Sequence, residues 1–242
     1  MQTAREACGG EGYMSRNRIS ELRKDIDIYT TFEGDNTVLM LLVARGLLDN
    51  FRKQFQDEQL FSMLQYVAGQ ASTAVQELNP VTTRKTDRDH LRSSDFQLSA
   101  FKYREQRLLQ TSAQRIKTQI NDGESAFDAF SHIQDHLLSL SNAHIERVVL
   151  EQFIERNTDA DNSGLEPWLE KLRSLFALSR LYDDAHWFLE SSYLEPVKSK
   201  AIRTEINILC DELRPQAVHL VDAFGIPDNC LSAPIAFPDT PV

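Results

Sequence analysis

The chain has 242 residues, of which 41% are hydrophobic and 26% are charged, and its formal net charge is -10. These values are typical of a globular protein with one or two domains, and the acidic balance argues against a nucleic acid or an anionic membrane as partner, because both are bound through clusters of lysine and arginine. No segment approaches the roughly 18 apolar residues of a membrane-spanning helix, since the longest apolar run, residues 38–44, ends at Arg45.

Helical spacing of apolar residues extends over almost the whole chain, and no segment alternates with the period of a strand. We predict helices at residues 36–55, 60–78, 94–121, 125–156, 165–182, 183–190, 196–213 and 215–224. Asp35 or Asn36 can cap the first helix, and Gly123 can end the third, because glycine adopts the left-handed conformation of a helix cap. Residues 231–237 form an apolar tail that we expect to pack on the helices.

The predicted fold class is therefore all-α, with helices packed as antiparallel bundles and joined by short loops. Residues 81–92 are polar and charged, which indicates a linker or surface loop. We accordingly expect one helical domain at residues 1–78, a linker at residues 79–93 and a second helical domain at residues 94–242.

Three cysteines, Cys8, Cys210 and Cys230, lie far apart and form no CxxC pair. This pattern favours free thiols in a reducing compartment over a disulfide framework or a zinc site. The first residues lack the apolar core of a secretory signal, and the last three residues are not the peroxisomal address Ser-Lys-Leu. These features predict a cytoplasmic protein.

A glycine-rich stretch, Gly9-Gly10-Glu11-Gly12-Tyr13, lies close to the start of the chain. Glycines allow a ligand to approach the backbone closely, and backbone N–H groups near a helix end can bind phosphate. The same pattern is also found in ordinary helix-breaking turns. It is not a dinucleotide-binding fingerprint, because no strand precedes it and the spacing differs.

Glu33 lies between Phe32 and Gly34, just before the strongly apolar start of the first predicted helix. A carboxylate in partly apolar surroundings is suited to act as a general base. The positive end of a helix favours the anionic form of such a group, so a simple capping role is the alternative.

Taken together, these motifs resemble the carboxy-terminal part of flavin-dependent acyl-CoA oxidases and dehydrogenases. The resemblance extends over essentially the whole chain and favours the oxidase branch. It is carried by Gly9-Gly-Glu-Gly-Tyr13, Asp25-Ile-Asp-Ile28, Thr31-Phe-Glu-Gly-Asp-Asn-Thr-Val-Leu39, Ala100-Phe-Lys-Tyr-Arg-Glu-Gln-Arg-Leu-Leu109, Phe127-Asp-Ala-Phe130, Gln134-Asp-His136 and Val221-Asp-Ala-Phe-Gly-Ile-Pro-Asp228.

The resemblance implies an FAD-dependent conversion of acyl-CoA to trans-2-enoyl-CoA in fatty acid β-oxidation, with oxygen as electron acceptor and hydrogen peroxide as product in the oxidase branch. Glu33 aligns with the base that removes the α-proton. The residues that align with cofactor contacts are Gly9, Gly10, Gly34, Asp35 and Thr37.

The resemblance also implies that much of the flavin and substrate pocket belongs to amino-terminal and middle domains that this sequence does not match. Either a homo-oligomer or a separate amino-terminal flavin-binding portion is then the expected partner. A dehydrogenase that passes electrons to a protein acceptor is a further possibility. The alternative from another class is a catalytically inert helical bundle or assembly domain.

Two histidines, His132 and His136, are spaced by one helical turn, with Asp135 between them. This spacing can form a metal-binding face, but no third ligand and no HExxH motif accompany it. We therefore predict no metal site. A basic cluster of Arg16, Arg18, Arg23 and Lys24 is open to two interpretations, phosphate contact or solvated surface charge.

Overall fold

The computed structural model of the chain describes residues 1–56, 83–157 and 165–237. Throughout these ranges the secondary structure is helical and contains no strand beyond an isolated bridge between Phe32 and Gly34. The α-helices are α1 Gln2–Ala7, α2 Ile19–Asp27, α3 Asn36–Gln56, α4 Arg88–Arg92, α5 Ser94–Asn121, α6 Ala126–Ser131, α7 Gln134–Asn157, α8 Glu166–Asp183, α9 Ala185–Glu190, α10 Pro196–Leu213 and α11 Ala217–Asp222. The predicted all-α fold is confirmed, whereas the predicted helix at residues 60–78 lies outside the described residues.

The chain divides into two compact units. One unit combines Met1–Leu39 with the segment that starts at Gln216, and the other is Met40–Pro215. Residues from the two ends of the chain therefore share the first unit.

The second unit is an antiparallel helical bundle in which α5 packs along α7, and α8 packs on α7 and α10. Side-chain pairs fix the direction of the first two helices. Arg104 pairs with Glu146 at 2.8 Å, and Thr111 Oγ1 lies 2.7 Å from His136 Nε2. From Arg104 to Thr111 the residue numbers rise along α5, whereas their partners on α7 fall from Glu146 to His136. The two helices are therefore antiparallel.

Buried apolar side chains form two clusters in this bundle. One contains Ala44 of α3 and is completed by Leu108, Ile133, Leu137, Leu140 and Ala143. The other is larger and contains Leu91, Phe96, Ala100, Phe101, Leu150, Ala177, Leu178, Leu181, Phe188, Tyr193, Leu194, Ile202 and Leu209. Burial of such residues is the main favourable contribution to folding.

Caps set the ends of the long helix α5. Ser93 Oγ accepts the N–H of Phe96 at 3.2 Å, which satisfies a backbone donor at the helix start. Gly123, with φ of +100°, lies just after the helix end, as the sequence predicts.

Two local predictions are wrong. The helix predicted at residues 125–156 is interrupted at His132 and Ile133, which separate α6 from α7. The surface loop predicted at residues 81–92 contains α4, whose Leu91 is only 1% exposed and belongs to the larger cluster. The domain boundary that we placed at residues 79–93 stays a prediction.

Candidate functional site

The glycine turn, Gly9–Tyr13, is a 3₁₀ helix that directly follows α1. Gly9 has φ of +56°, in the left-handed region that glycine adopts without strain. A Cβ atom built on Gly9 or Gly10 would have no heavy atom within 4 Å. The backbone of both residues is thus open to the approach of another group.

Gly12, in contrast, is buried and packs against α1. A Cβ atom there would lie 2.1 Å from the carbonyl oxygen of Arg5, so no larger residue fits without a shift of the backbone. The Arg5 guanidinium also lies 4.6 Å from the ring centre of Tyr13, a cation–π distance. These contacts hold the glycine turn on α1.

Asn17 binds the same turn from its other side. Its Nδ2 donates to the Glu11 carbonyl oxygen at 2.9 Å and to Glu11 Oε2 at 2.7 Å. Arg16 donates to the Glu11 carboxylate at 2.7 Å, and the hydrogen bonds from Arg16 and Asn17 lower the pKa of the Glu11 carboxyl. Asn17 was not predicted from the sequence, because nothing in the polar run of residues 15–18 marks one member as buried.

Glu33 is exposed at the tip of a turn before α3. The Gly34 N–H donates to the Thr31 carbonyl at 3.1 Å, and Gly34 has φ of +118°, a conformation that favours glycine. Asn36 Nδ2 donates to the Tyr29 carbonyl at 3.2 Å. The turn that carries Glu33 is therefore defined by its own backbone, and the Glu33 side chain is exposed in this chain.

Asp35, one of the two caps that the sequence allows, caps helix α3. Its Oδ1 accepts the N–H of Thr37 at 2.8 Å and that of Val38 at 3.3 Å. Since these are backbone donors of the first helical turn, Asp35 satisfies them at the point where the Glu33 turn passes into α3.

The structure thus places four predicted site residues together, because Glu33, Gly34, Asp35 and Thr37 all lie at the start of α3. Gly9 and Gly10 belong to a separate turn. Across the described residues, no hydrogen bond or ion pair joins the glycine turn to the Glu33 turn. Helix α2 lies between them in sequence and contacts the segments on either side.

Most of the basic cluster is engaged within the chain. Arg16 pairs with Glu11, Arg18 pairs with Glu21 at 2.8 Å, and Arg23 donates to the side chain of Gln2. All three arginines are exposed or half-exposed at the surface, which agrees with solvated surface charge.

The two histidines of the possible metal face also have ordinary partners. His132 Nδ1 lies 2.9 Å from Glu124, and His136 contacts Thr111. Within residues 1–56, 83–157 and 165–237, no group of three or more metal-binding side chains comes together. Among the helices that the structure describes, none has the length and apolar character needed to cross a membrane.

A recess of about 490 Å³ lies in the second unit, between the start of α5 and α8. Arg173 is 7% exposed there and donates to the Arg92 carbonyl at 2.7 Å. Arg92 and Lys171 are paired with Glu212. The described residues that line this recess include equal numbers of acidic and basic side chains and no predicted site residue. The recess therefore favours no single class of ligand.

Comparison with known proteins identifies the family. The family model for the acyl-CoA oxidase C-alpha1 domain matches residues 1–48, and the model for acyl-CoA oxidase matches residues 93–239. The chain belongs to the acyl-CoA oxidase family. The resemblance drawn from the glycine and Glu33 motifs is confirmed.

Individual relatives agree with this assignment. Acyl-coenzyme A oxidase 2, peroxisomal, from Arabidopsis thaliana is 40% identical over 98% of this chain and 34% of its own length. The structure of Arabidopsis thaliana acyl-CoA oxidase 1 is similar, with a TM-score of 0.80 and 27% identity over 96% of this chain and 34% of that one. Caenorhabditis elegans acyl-CoA oxidase-1, solved with FAD and ATP, shares the fold at 23% identity and a TM-score of 0.76, over 96% of this chain and 34% of that one. The chain spans about a third of the length of these relatives.

The predicted cytoplasmic location is wrong. The Arabidopsis relative is named peroxisomal, and so are acyl-coenzyme A oxidase 3 of Arabidopsis and the bovine oxidase 1. The prediction relied on the cysteine pattern, the lack of a secretory signal and the lack of Ser-Lys-Leu in the last residues, and the names of these relatives overturn it.

Proposed function

We propose that this chain is the carboxy-terminal part of an FAD-dependent, peroxisomal enzyme that oxidises acyl-CoA to trans-2-enoyl-CoA, with oxygen as electron acceptor and hydrogen peroxide as product. One observation carries the proposal. Both acyl-CoA oxidase family models match, and the first of the two matched regions contains Glu33, which is presented at the start of α3 by Gly34 and Asp35.

Glu33 is the proposed base. Its carboxylate takes the proton from the α carbon of the thioester, and the electrons of that C–H bond form the new double bond as a hydride leaves the β carbon. When bound, FAD supplies the acceptor for that hydride. Because Glu33 is exposed in this chain, the shielding that a base requires would come from the bound acyl-CoA and the remainder of the oxidase.

The geometry fits a cofactor at the glycine turn, since the backbone at Gly9 and Gly10 is open on one side. We propose that Gly9 and Gly10 contact the cofactor, together with Gly34, Asp35 and Thr37 at the start of α3. Asp35 uses Oδ1 for its cap, so a cofactor contact would use Oδ2. The Caenorhabditis elegans oxidase, which shares this fold and was solved with FAD, supports this choice of cofactor.

The replacement Glu33→Gln tests the base in an oxidase of full length that carries this sequence. We expect exchange of the α-proton of acyl-CoA with deuterated solvent to fall at least about 100-fold, since a general base contributes about that much or more. The flavin absorption should be unchanged. Glu190→Gln is the matched control, because Glu190 is exposed on α9 and outside the proposed site. Normal exchange in the Glu33→Gln variant would remove Glu33 from the mechanism.

The alternative function is a catalytically inert bundle or assembly domain. It is favoured by the solvent exposure around Glu33, where Phe32 is 69% exposed and Val38 is 55% exposed. A partner, either a second copy of the chain or a separate flavin-binding portion, would cover this surface in the enzymatic case.

The visible spectrum of the purified chain separates the two cases. FAD is added in excess and then removed by dialysis. Retained flavin bands would support a cofactor site formed by these helices, whereas a colourless protein would support the assembly function for the chain by itself.

A further inference from the structure

Two consecutive residues, Asn17 and Arg18, bind the tail segment, which comprises residues 231–237. The N–H of Ile235 donates to Asn17 Oδ1 at 3.0 Å. Arg18, whose backbone is left-handed with φ of 58°, donates through Nη1 to Ser232 Oγ at 2.8 Å. These contacts lie within the first unit, so the tail segment is fastened next to the start of the chain.

Asn17 connects the tail segment to the glycine turn. Its side chain is 1% exposed. The amide oxygen accepts from Ile235, and the amide nitrogen donates twice to Glu11, once to its carbonyl and once to its carboxylate. A buried amide whose donors and acceptor are all used rigidifies its surroundings, because each lost partner leaves a costly unsatisfied group.

The glycine turn is consequently held at two of its residues and open at two others. Glu11 is held by Asn17, and Gly12 packs on the Arg5 carbonyl. Gly9 and Gly10 have free space where a side chain would be. The position of this open backbone therefore depends on the anchors at Glu11 and Gly12.

We propose that the tail segment positions the glycine turn through Asn17, so that residues 231–237 help to present Gly9 and Gly10 to the cofactor. Asn17 is a positioning residue, because it acts through Glu11. The cofactor part rests on the proposed function, whereas the link between tail and turn stands on the hydrogen bonds alone.

Selective ¹⁵N-glycine labelling tests the link directly. The chain has nine glycines, so the spectrum is simple, and the signals of Gly9, Gly10 and Gly12 report on the turn. We expect these three to shift or broaden in Asn17→Ala and in a chain that ends at Cys230. The controls are Ser15→Ala and a chain that ends at Phe237. Ser15 is exposed and lies in the same short 3₁₀ helix as Asn17, Ser15–Asn17. In both controls the three signals should stay in place, and Gly123 should be unmoved throughout.

Titration with FAD gives the second readout. The dissociation constant should rise about tenfold in the two altered proteins and not in the controls, as expected for the loss of a buried hydrogen bond. If FAD moves no glycine signal of the unaltered chain, the cofactor contact fails, and the labelling result still decides whether the tail holds the turn.

Unchanged Gly9, Gly10 and Gly12 signals in the chain that ends at Cys230 would overturn the proposal. Loss of all glycine signals in both altered proteins would overturn it as well, because the tail would then support the whole fold and not the turn in particular.

Discussion

The glycines of the glycine turn have different roles, and the space around each glycine shows which role it has. Gly12→Ala places a methyl group 2.1 Å from the Arg5 carbonyl, and we expect it to lower the free energy of unfolding by about 1–3 kcal/mol, the usual cost of overpacking. Gly10→Ala meets no neighbouring atom and should change stability little. Urea unfolding measures both, and equal effects would show that the Arg5 contact is unimportant.

His90 makes stability depend on pH. Burial and the nearby Lys198 ammonium lower the pKa of His90 to about 4, whereas a histidine in the unfolded chain titrates near 6.5. Between these values the unfolded chain binds a proton that the folded chain does not. The contribution of His90 to stability is therefore complete above about pH 6.5 and is lost as the pH falls towards 4.

Replacement of this histidine tests the assignment. His90→Gln should flatten the dependence of the free energy of unfolding on pH between about 6.5 and 4. His219→Gln, at an exposed position on α11, should leave the slope unchanged. An unaltered slope in His90→Gln would show that the acid sensitivity arises from other groups.

Residues marked by their place in a sequence pattern could be predicted, and residues marked only by tertiary contacts could not. Asp35 and Asn36 were predicted as alternative caps because they precede an apolar helical stripe, and Asp35 is the one that caps α3. The burial of Asn17 arises from Glu11 and from Ile235, more than 200 positions along the chain, and no local pattern reports such a contact. The assignment of Glu33 as base stays a prediction.

At the scale of the element, the cap of α3 is the feature with the clearest consequence. Asp35→Ala removes the acceptor of the Thr37 and Val38 N–H groups, and we expect stability to fall by about 1 kcal/mol. Asp35→Ser keeps a capping oxygen and should retain most of the stability. Thermal unfolding compares the two variants.

The serine variant also separates the cap from a cofactor contact. If Asp35→Ser keeps the stability of the chain but weakens FAD binding, the carboxylate has a role beyond the cap. If the alanine and serine variants are equally unstable, the cap contributes less than its geometry implies.

Apolar spacing predicted most of the helices after residue 36, whereas α1 and α2 were not predicted. Two of the other errors have identifiable causes. Helix α5 was predicted at its observed bounds, because its apolar residues keep helical spacing and Gly123 marks its end. The break between α6 and α7 was missed, because residues 132 and 133 include no glycine or proline and the helical spacing continues across them. Helix α4 was missed, because its buried Leu91 is surrounded by charged residues that pair with other helices, as Arg92 does with Glu205.

At the scale of the whole molecule, α3 carries an exposed apolar face. Ala44 packs in the core, whereas Val38 and Leu42 are 55% and 56% exposed. Exposed apolar patches promote association. We therefore expect the purified chain to form oligomers and to bind a hydrophobic dye, and both properties should decrease in the double variant Val38→Lys, Leu42→Lys.

The double variant Val218→Lys, Val221→Lys is the control. Both valines are exposed on α11, at 71% and 64%, and the change in charge is the same. If light scattering shows that both double variants dissociate equally, the cause is general charge repulsion. If the unaltered chain is a monomer and does not bind the dye, the prediction is contradicted.

If this chain serves an acyl-CoA oxidase, the electrons taken from acyl-CoA should pass to oxygen. An oxidase of full length that carries this sequence is supplied with acyl-CoA in air, and enoyl-CoA and hydrogen peroxide are measured together. We expect equal amounts of the two products, and neither product from a flavin-loaded Glu33→Gln variant. Enoyl-CoA that forms only with an added protein electron acceptor, without peroxide, would contradict the oxidase assignment.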